Sequence, residues 1–242
     1  MFHIESAGAD NRGNAMRAPI SVVIPILNAQ SSLPGCLAAL MEGVEAGLIR
    51  ELIVSDGGST DAGPALAEAS GAVLVTGAAS RGGQLRRGCA AAAGDWLLVL
   101  HADSWLDAGW SDPVRAHLPG GQAGYFRLRF RARGAMPRLV AGWANLRARL
   151  FGLPYGDQGL LIPRALYDRA GGFADQPLME DVAMARALRG QLARIDARIA
   201  TGAERYLRDG WLRRGARNLG TLLRYLLGAD PKTLLRRYNG RS

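Results

Sequence analysis

Ile20-Ser21-Val22-Val23-Ile24-Pro25-Ile26-Leu27-Asn28 is the stretch on which the fold turns. Its apolar, largely β-branched run is too short for a buried helix. Pro25 and Asn28 close it, so Ile20–Leu27 reads as a buried strand entering a loop. Moving outward, Leu33–Gly47 reads as a helix, with Ser31 or Ser32 as its cap and Gly47 as its stop. Glu51–Ser55 is a second strand, followed by the turn Asp56-Gly57-Gly58-Ser59-Thr60-Asp61 and a helix over Pro64–Ala69. Ala72–Thr76 is a third strand. Gln84–Ala93 is an Ala-rich helix ended by Gly94, and Trp96–Leu100 is a fourth strand stopping at His101.

Strands and helices alternating through short connections specify an α/β fold, a mainly parallel sheet with helices on both faces. Ligands of such sheets bind beyond the carboxyl ends of the strands. Asn28, Asp56 and Asp103 all fall just past such ends. The second half is less regular. Tyr125–Arg133 alternates as an amphipathic strand would, Leu139–Phe151 and Glu180–Arg189 read as helices, and Asp157–Pro163 and Leu192–Ile199 as strands. Glu204–Leu227 is helical by period. The expected organisation is a disordered leader over residues 1–18, a catalytic α/β domain over 19–200, and a basic amphipathic helical extension over 201–242 packed on that domain.

Charge is unevenly spread. Residues 1–126 carry 7 Arg against 12 acids, residues 127–149 carry 7 Arg and no acid, and residues 201–242 carry 10 basic groups against 3 acids. Such patches suit diphosphates, nucleic acid or an anionic membrane surface, while solvated arginines on helix faces are the plainer account. No helix-turn-helix, zinc or RNP-type signature accompanies them, so no nucleic-acid partner is expected. The apolar runs are too short to span a bilayer. Cys36 and Cys89 stand alone and read as reduced, buried thiols of a cytoplasmic protein. In Trp211–Leu227, Trp211, Leu212, Leu219, Leu222, Leu223, Leu226 and Leu227 share one helical face and arginines the other. Packing on the chain's own core is the favoured role for that face. Peripheral contact through 205–227 with the inner face of a membrane stays open, as does a homodimer.

Four short motifs carry candidate chemistry. In His101-Ala102-Asp103-Ser104, a carboxylate at a strand end can hold Mg²⁺ or Mn²⁺ through one oxygen, although it can also simply cap a turn. In Asp56–Asp61, glycines let backbone approach a ligand while Asp56 accepts a hydrogen bond; Thr60 or Asp61 can equally cap the next helix. Arg81-Gly82-Gly83-Gln84 is a Gly-rich turn opening a helix, favourable for phosphate. In Met179-Glu180-Asp181, two acids start a helix, where its dipole favours them, and either can serve as a general base.

Taken in order, these motifs resemble family 2 glycosyltransferases of the GT-A fold. Ser21–Asn28 resembles the family's opening strand, Asp56–Asp61 its nucleotide loop, Asp95–Ser104 the strand ending in its D-x-D-type metal motif, and Glu180-Asp181 its E-D motif. Arg81–Gln84, His101–Ser104 and Pro177–Asp181 are together similar to a small bacterial subfamily associated with radical-SAM or arsenosugar loci. The resemblance implies an inverting glycosyltransferase that moves a sugar from a nucleotide-diphosphate sugar, a UDP-sugar by preference, to an acceptor hydroxyl. It places Pro25, Asn28, Asp56, Gly57, Arg81, Gln84 and Ala102 at the donor nucleotide. Asp103 binds the divalent metal, with His101 as a second candidate ligand, and Asp181 is the base with Glu180 beside it. His101 replaces the first acid of the usual D-x-D, and imidazole is a poorer partner for Mg²⁺. The alternatives are a sugar nucleotidyltransferase or a non-catalytic sugar-nucleotide-binding protein.

Overall fold

Val22 and Ile24 point to one side of the strand that contains them and Val23 to the other, and all three are fully buried. A strand buried on both faces needs helices on both faces. The computed structural model, which describes residues 18–239, supplies them. The first half runs β1 (Ile20–Ile26), α1 (Leu33–Glu45), β2 (Ile49–Asp56), α2 (Gly63–Ala69), β3 (Val73–Thr76), α3 (Arg81–Ala91), β4 (Trp96–Val99), β5 (Ser104–Leu106) and α4 (Ser111–His117). The second runs β6 (Ala123–Phe130), α5 (Ala135–Phe151), β7 (Leu160–Pro163), α6 (Arg164–Arg169), α7 (Glu180–Ala187), β8 (Leu192–Thr201), α8 (Glu204–Asp209), α9 (Trp211–Leu226) and α10 (Pro231–Asn239).

The sheet order is β3-β2-β1-β4-β7-β6-β8-β5. β1 pairs in parallel with β2 and β4, and β2 with β3, as the alternation of strands and helices predicts. Beyond β4 the sheet is mixed, because β7 runs antiparallel to both β4 and β6, and β5 antiparallel to β8. One core lies between the sheet and α1, α4 and α5 and includes Leu33, Leu40, Trp110 and Phe126. The other lies under α3, α6 and α7 and includes Leu85, Cys89, Tyr167 and Leu188. Cys36 and Cys89 are free and buried, and burial pushes both thiols up to about 12.

Several sequence expectations need correction. Asp157 belongs to a 3₁₀ turn over Gly156–Gln158, and its strand begins only at Leu160. Glu204–Leu227 is two helices, broken at Gly210, whose φ of 83° is a left-handed conformation few other residues tolerate. The leader expected over residues 1–18 falls outside the described residues except at Ala18. Only one edge of the apolar face of α9 packs. Its inner side presents Trp211, Arg214, Thr221 and Leu222, while Leu212, Leu223 and Leu227 are 70%, 51% and 87% exposed. Among the described residues no helix is long and apolar enough to cross a membrane.

Candidate active site

The loops leaving β1 and β2 clasp one another. Asn28, held at φ 53°, accepts a hydrogen bond from the Thr60 amide (2.8 Å) and donates its own backbone N–H to Ser59 Oγ (2.9 Å). Asparagine is among the few side chains that occupy this backbone region readily. Gln84, reaching up from α3, donates Nε2–H to the carbonyls of Ile26 (2.7 Å) and Ser55 (3.1 Å) and fixes both strand ends. Beyond these ends opens a cleft of about 590 Å³, lined by Pro25, Asn28, Arg81, Gln84, His101, Ala102, Asp103, Glu180 and Asp181. The structure thus gathers nine of the sequence-selected residues at one rim of the sheet.

Asp56 and Gly57 are not among its walls. The Asp56 carboxylate turns into its own loop, accepting from the amides of Gly58 (2.9 Å) and Ser59 (3.1 Å) and from Ser59 Oγ (2.5 Å). Burial opposes its charge, but these bonds prevail and hold the carboxyl below its ordinary range.

Arg81 organises the floor of the cleft. It is the first residue of α3, not part of a turn before it, and Ser80 is the N-cap. Its Nε lies 2.9 Å from Glu180 Oε1, and its Nη2 lies 2.8 Å from His101 Nδ1. Burial works against the guanidinium's charge, and Glu180, Asp181, Asp103 and Asp157 more than offset it. Burial first, then Arg81 and Arg205, hold His101 well below its usual value, so the ring is neutral. Both ring nitrogens are within hydrogen-bonding distance of Arg81 Nη2. His101 thus lines the cleft next to Asp103 with its ring against the Arg81 guanidinium.

Glu180 and Asp181 open α7 after Met179, whose φ of 64° is costly for a non-glycine residue. Glu180 is 2% exposed. Burial, then repulsion from Asp181, push its carboxyl up to about 7 against the pull of Arg81. Among the described residues, Asp181 is held by backbone alone: Oδ2 accepts from Gly156 N–H and Oδ1 from Val182 N–H, each at 2.7 Å. Gly156 is needed there because a Cβ would strike the His101 ring.

Three contributions escaped the sequence reading. Asp157 lines the cleft, half-buried, with its Oδ1 buried and lacking any hydrogen-bond partner among the described residues. Burial, and then Asp181 and Asp103, raise its carboxyl to about 6 in spite of Arg147. The run Gly156-Asp157-Gln158-Gly159, an acid among glycines as in Asp56-Gly57-Gly58, was the available signal. Tyr155 also lines the cleft beneath the Arg147 guanidinium, 3.5 Å from its ring centroid. The extension closes the far side with Arg205, Arg214, Asn218 and Thr221, for which the tail's helical period gave no signal.

The donor set bears on a metal. Among the described residues no three His, Cys, Asp or Glu groups surround one point. Asp103 faces the cleft with no side-chain hydrogen bond among the described residues, and Asp157 brings an unsatisfied buried oxygen. One or two carboxylate oxygens suit Mg²⁺ or Mn²⁺, which complete their shells with water and substrate phosphate.

Residues 21–140 match the family model Glycosyl transferase family 2. They form a family 2 glycosyltransferase domain. The fold is that of S. aureus TarS, with TM-score 0.59 at 14% identity over 76% of this chain and 36% of that one. Glucosyl-3-phosphoglycerate synthase from Mycobacterium tuberculosis, solved with Mg²⁺ and UDP, is 25% identical over 78% of this chain and 71% of its own, with TM-score 0.52. A TPR repeat-containing protein of Synechococcus elongatus is 38% identical over 94 residues. This chain spans 22% of that relative's length and about a third of the TarS chain.

Proposed function

We propose that this chain is an inverting glycosyltransferase of hexosyltransferase type that takes a UDP-sugar and glycosylates an acceptor hydroxyl. The observation that carries the proposal is Asp181, a carboxylate locked by two backbone N–H groups in the cleft that also holds Asp103 and Arg81. Asp181 accepts the acceptor's proton as its oxygen bonds the anomeric carbon and the bond to the donor diphosphate breaks. Approach from the face opposite the leaving group inverts that carbon, and no protein nucleophile is needed. Glu180 holds Arg81 by their ion pair, and Arg81 faces the departing phosphates. Asp103, with Asp157 beside it, is the proposed holder of a Mn²⁺ or Mg²⁺ ion, which would supply positive charge to the diphosphate. The mycobacterial synthase solved with UDP and either Mn²⁺ or Mg²⁺ supports this assignment. Membership of the arsenosugar-associated subfamily rests on the sequence motifs, and a cytoplasmic location on the two unbridged cysteines; both belong to the proposal.

A thermal-shift series with UDP tests the binding half. UDP should stabilise the chain only with Mn²⁺ or Mg²⁺ present, and Asp103→Ala should abolish that metal dependence. Turnover of UTP with a sugar phosphate, without transfer from UDP-sugars, would favour a nucleotidyltransferase. UDP-sugar binding with no transfer to any acceptor would favour a binding protein.

A further inference from the structure

Among the described residues, 11 of the 13 exposed large hydrophobic side chains lie on α5, on α8 and α9, or on the residue that follows α9. They are ordered. At about 100° per residue, Leu139, Trp143, Leu146 and Leu150 fall in one outward stripe of α5, with the exposed Arg138 and Arg149 along its flank. Leu212, Leu219, Leu223 and Leu226 fall in one outward stripe of α9, with the exposed Arg213 and Arg224 along its flank. The two helices pack against each other, so the stripes belong to one region of the surface.

We infer that this region is a docking face for an anionic lipid bilayer. Apolar side chains exposed in such stripes on two neighbouring helices mark an interaction site. Charge then selects the occupant. Residues 134–156 and 210–229 contain no Asp or Glu, and of the two acids on α8 Asp209 is held by Arg208 and Arg214, so a second copy seated on the same face would bring arginines against arginines with only Glu204 to meet them. Anionic headgroups complement the arginines while the leucines and Trp143 enter the acyl boundary. The opposite side of α9 lines the cleft with Arg214, Asn218 and Thr221. Docking would therefore bring the cleft to within about one helix diameter, ~10 Å, of the lipid. The inference is independent of the proposed reaction, since it concerns the outer surface alone.

Co-sedimentation of the full chain with phosphatidylcholine vesicles, with and without phosphatidylglycerol, tests it. The chain should pellet with the phosphatidylglycerol vesicles only, and less so at high salt. Leu219→Glu/Leu223→Glu should lower partitioning at least about ten-fold with an unchanged melting temperature, and Arg213→Glu/Arg224→Glu should do the same by removing the charge match. Absence of wild-type binding, or equal binding by both variants, would overturn the inference. So would a concentration-dependent dimer, dispersed by the leucine variant, in a chain that ignores vesicles.

Discussion

Asp181 is useful because its surroundings leave it little freedom. Two amides fix its oxygens, and Gly156 allows the approach of one of them. Asp181→Asn should therefore keep UDP binding by thermal shift but lower transfer by about 10²–10⁴-fold, the usual worth of a positioned base; an asparagine variant with near-wild-type turnover would remove Asp181 from that role. Gly156→Ala forces a methyl toward His101 and should cost about 1–3 kcal/mol in urea unfolding. The pH response has a definite sign. Glu180 and Asp157, with folded values of about 7 and about 6, bind protons that the unfolded chain releases at lower pH. Their contribution is full below the ordinary carboxylate range and is lost as pH rises through those values. Melting temperature should fall over that window, and Glu180→Gln or Asp157→Asn should flatten the fall. Asp103, Glu180 and Asp181 were legible in sequence because short motifs carry them. Asp157 was not, because a 3₁₀ turn preceding a strand has neither period to mark it.

At the scale of the element, the start of α3 sets the floor of the cleft. Ser80 caps it, accepting from Gly83 N–H and donating to Asp175. Gly82 passes so close to the 174–176 backbone that any side chain would strike the Ala174 carbonyl. Gly82→Ala should thus shift Arg81 away from Glu180, destabilise by about 1–3 kcal/mol and weaken UDP binding in the thermal-shift series. The first four strands were legible to within a few residues: β1, β2 and β4 are short runs buried on both faces, and β3, though partly exposed at the sheet edge, is a β-branched run between turns. The mixed half of the sheet was harder. β5, α4, α6 and α10 are short, and their order is fixed by long-range pairings such as β4 with β7, which no local period encodes.

Over the whole molecule, the charge segregation visible in sequence resolves into separate uses. Arg129 pairs with Asp107, Arg131 donates to the Asp103 carbonyl and stacks on Trp105, and Arg147 is buried over Tyr155. Those arginines are architecture, while Arg138 and Arg149 remain outside. The extension is anchored by the Phe130, Tyr206 and Trp211 aromatic cluster, so that Trp211→Ala should cost about 2 kcal/mol, below the ~3–5 of a fully buried aromatic, and loosen the cleft's far wall. Periodicity located the helical tail but not its orientation, because the sequence does not say which face of an amphipathic helix meets its own domain. What unites these levels is convergence on one cleft at the sheet's rim. Crystals grown with UDP and Mn²⁺ test it most directly. The anomalous manganese signal should lie at Asp103, with the diphosphate between it and Arg81 and with Asp181 facing the open acceptor side. Manganese and UDP bound away from Asp103, or a UDP blocking Asp181 from that side, would contradict the account.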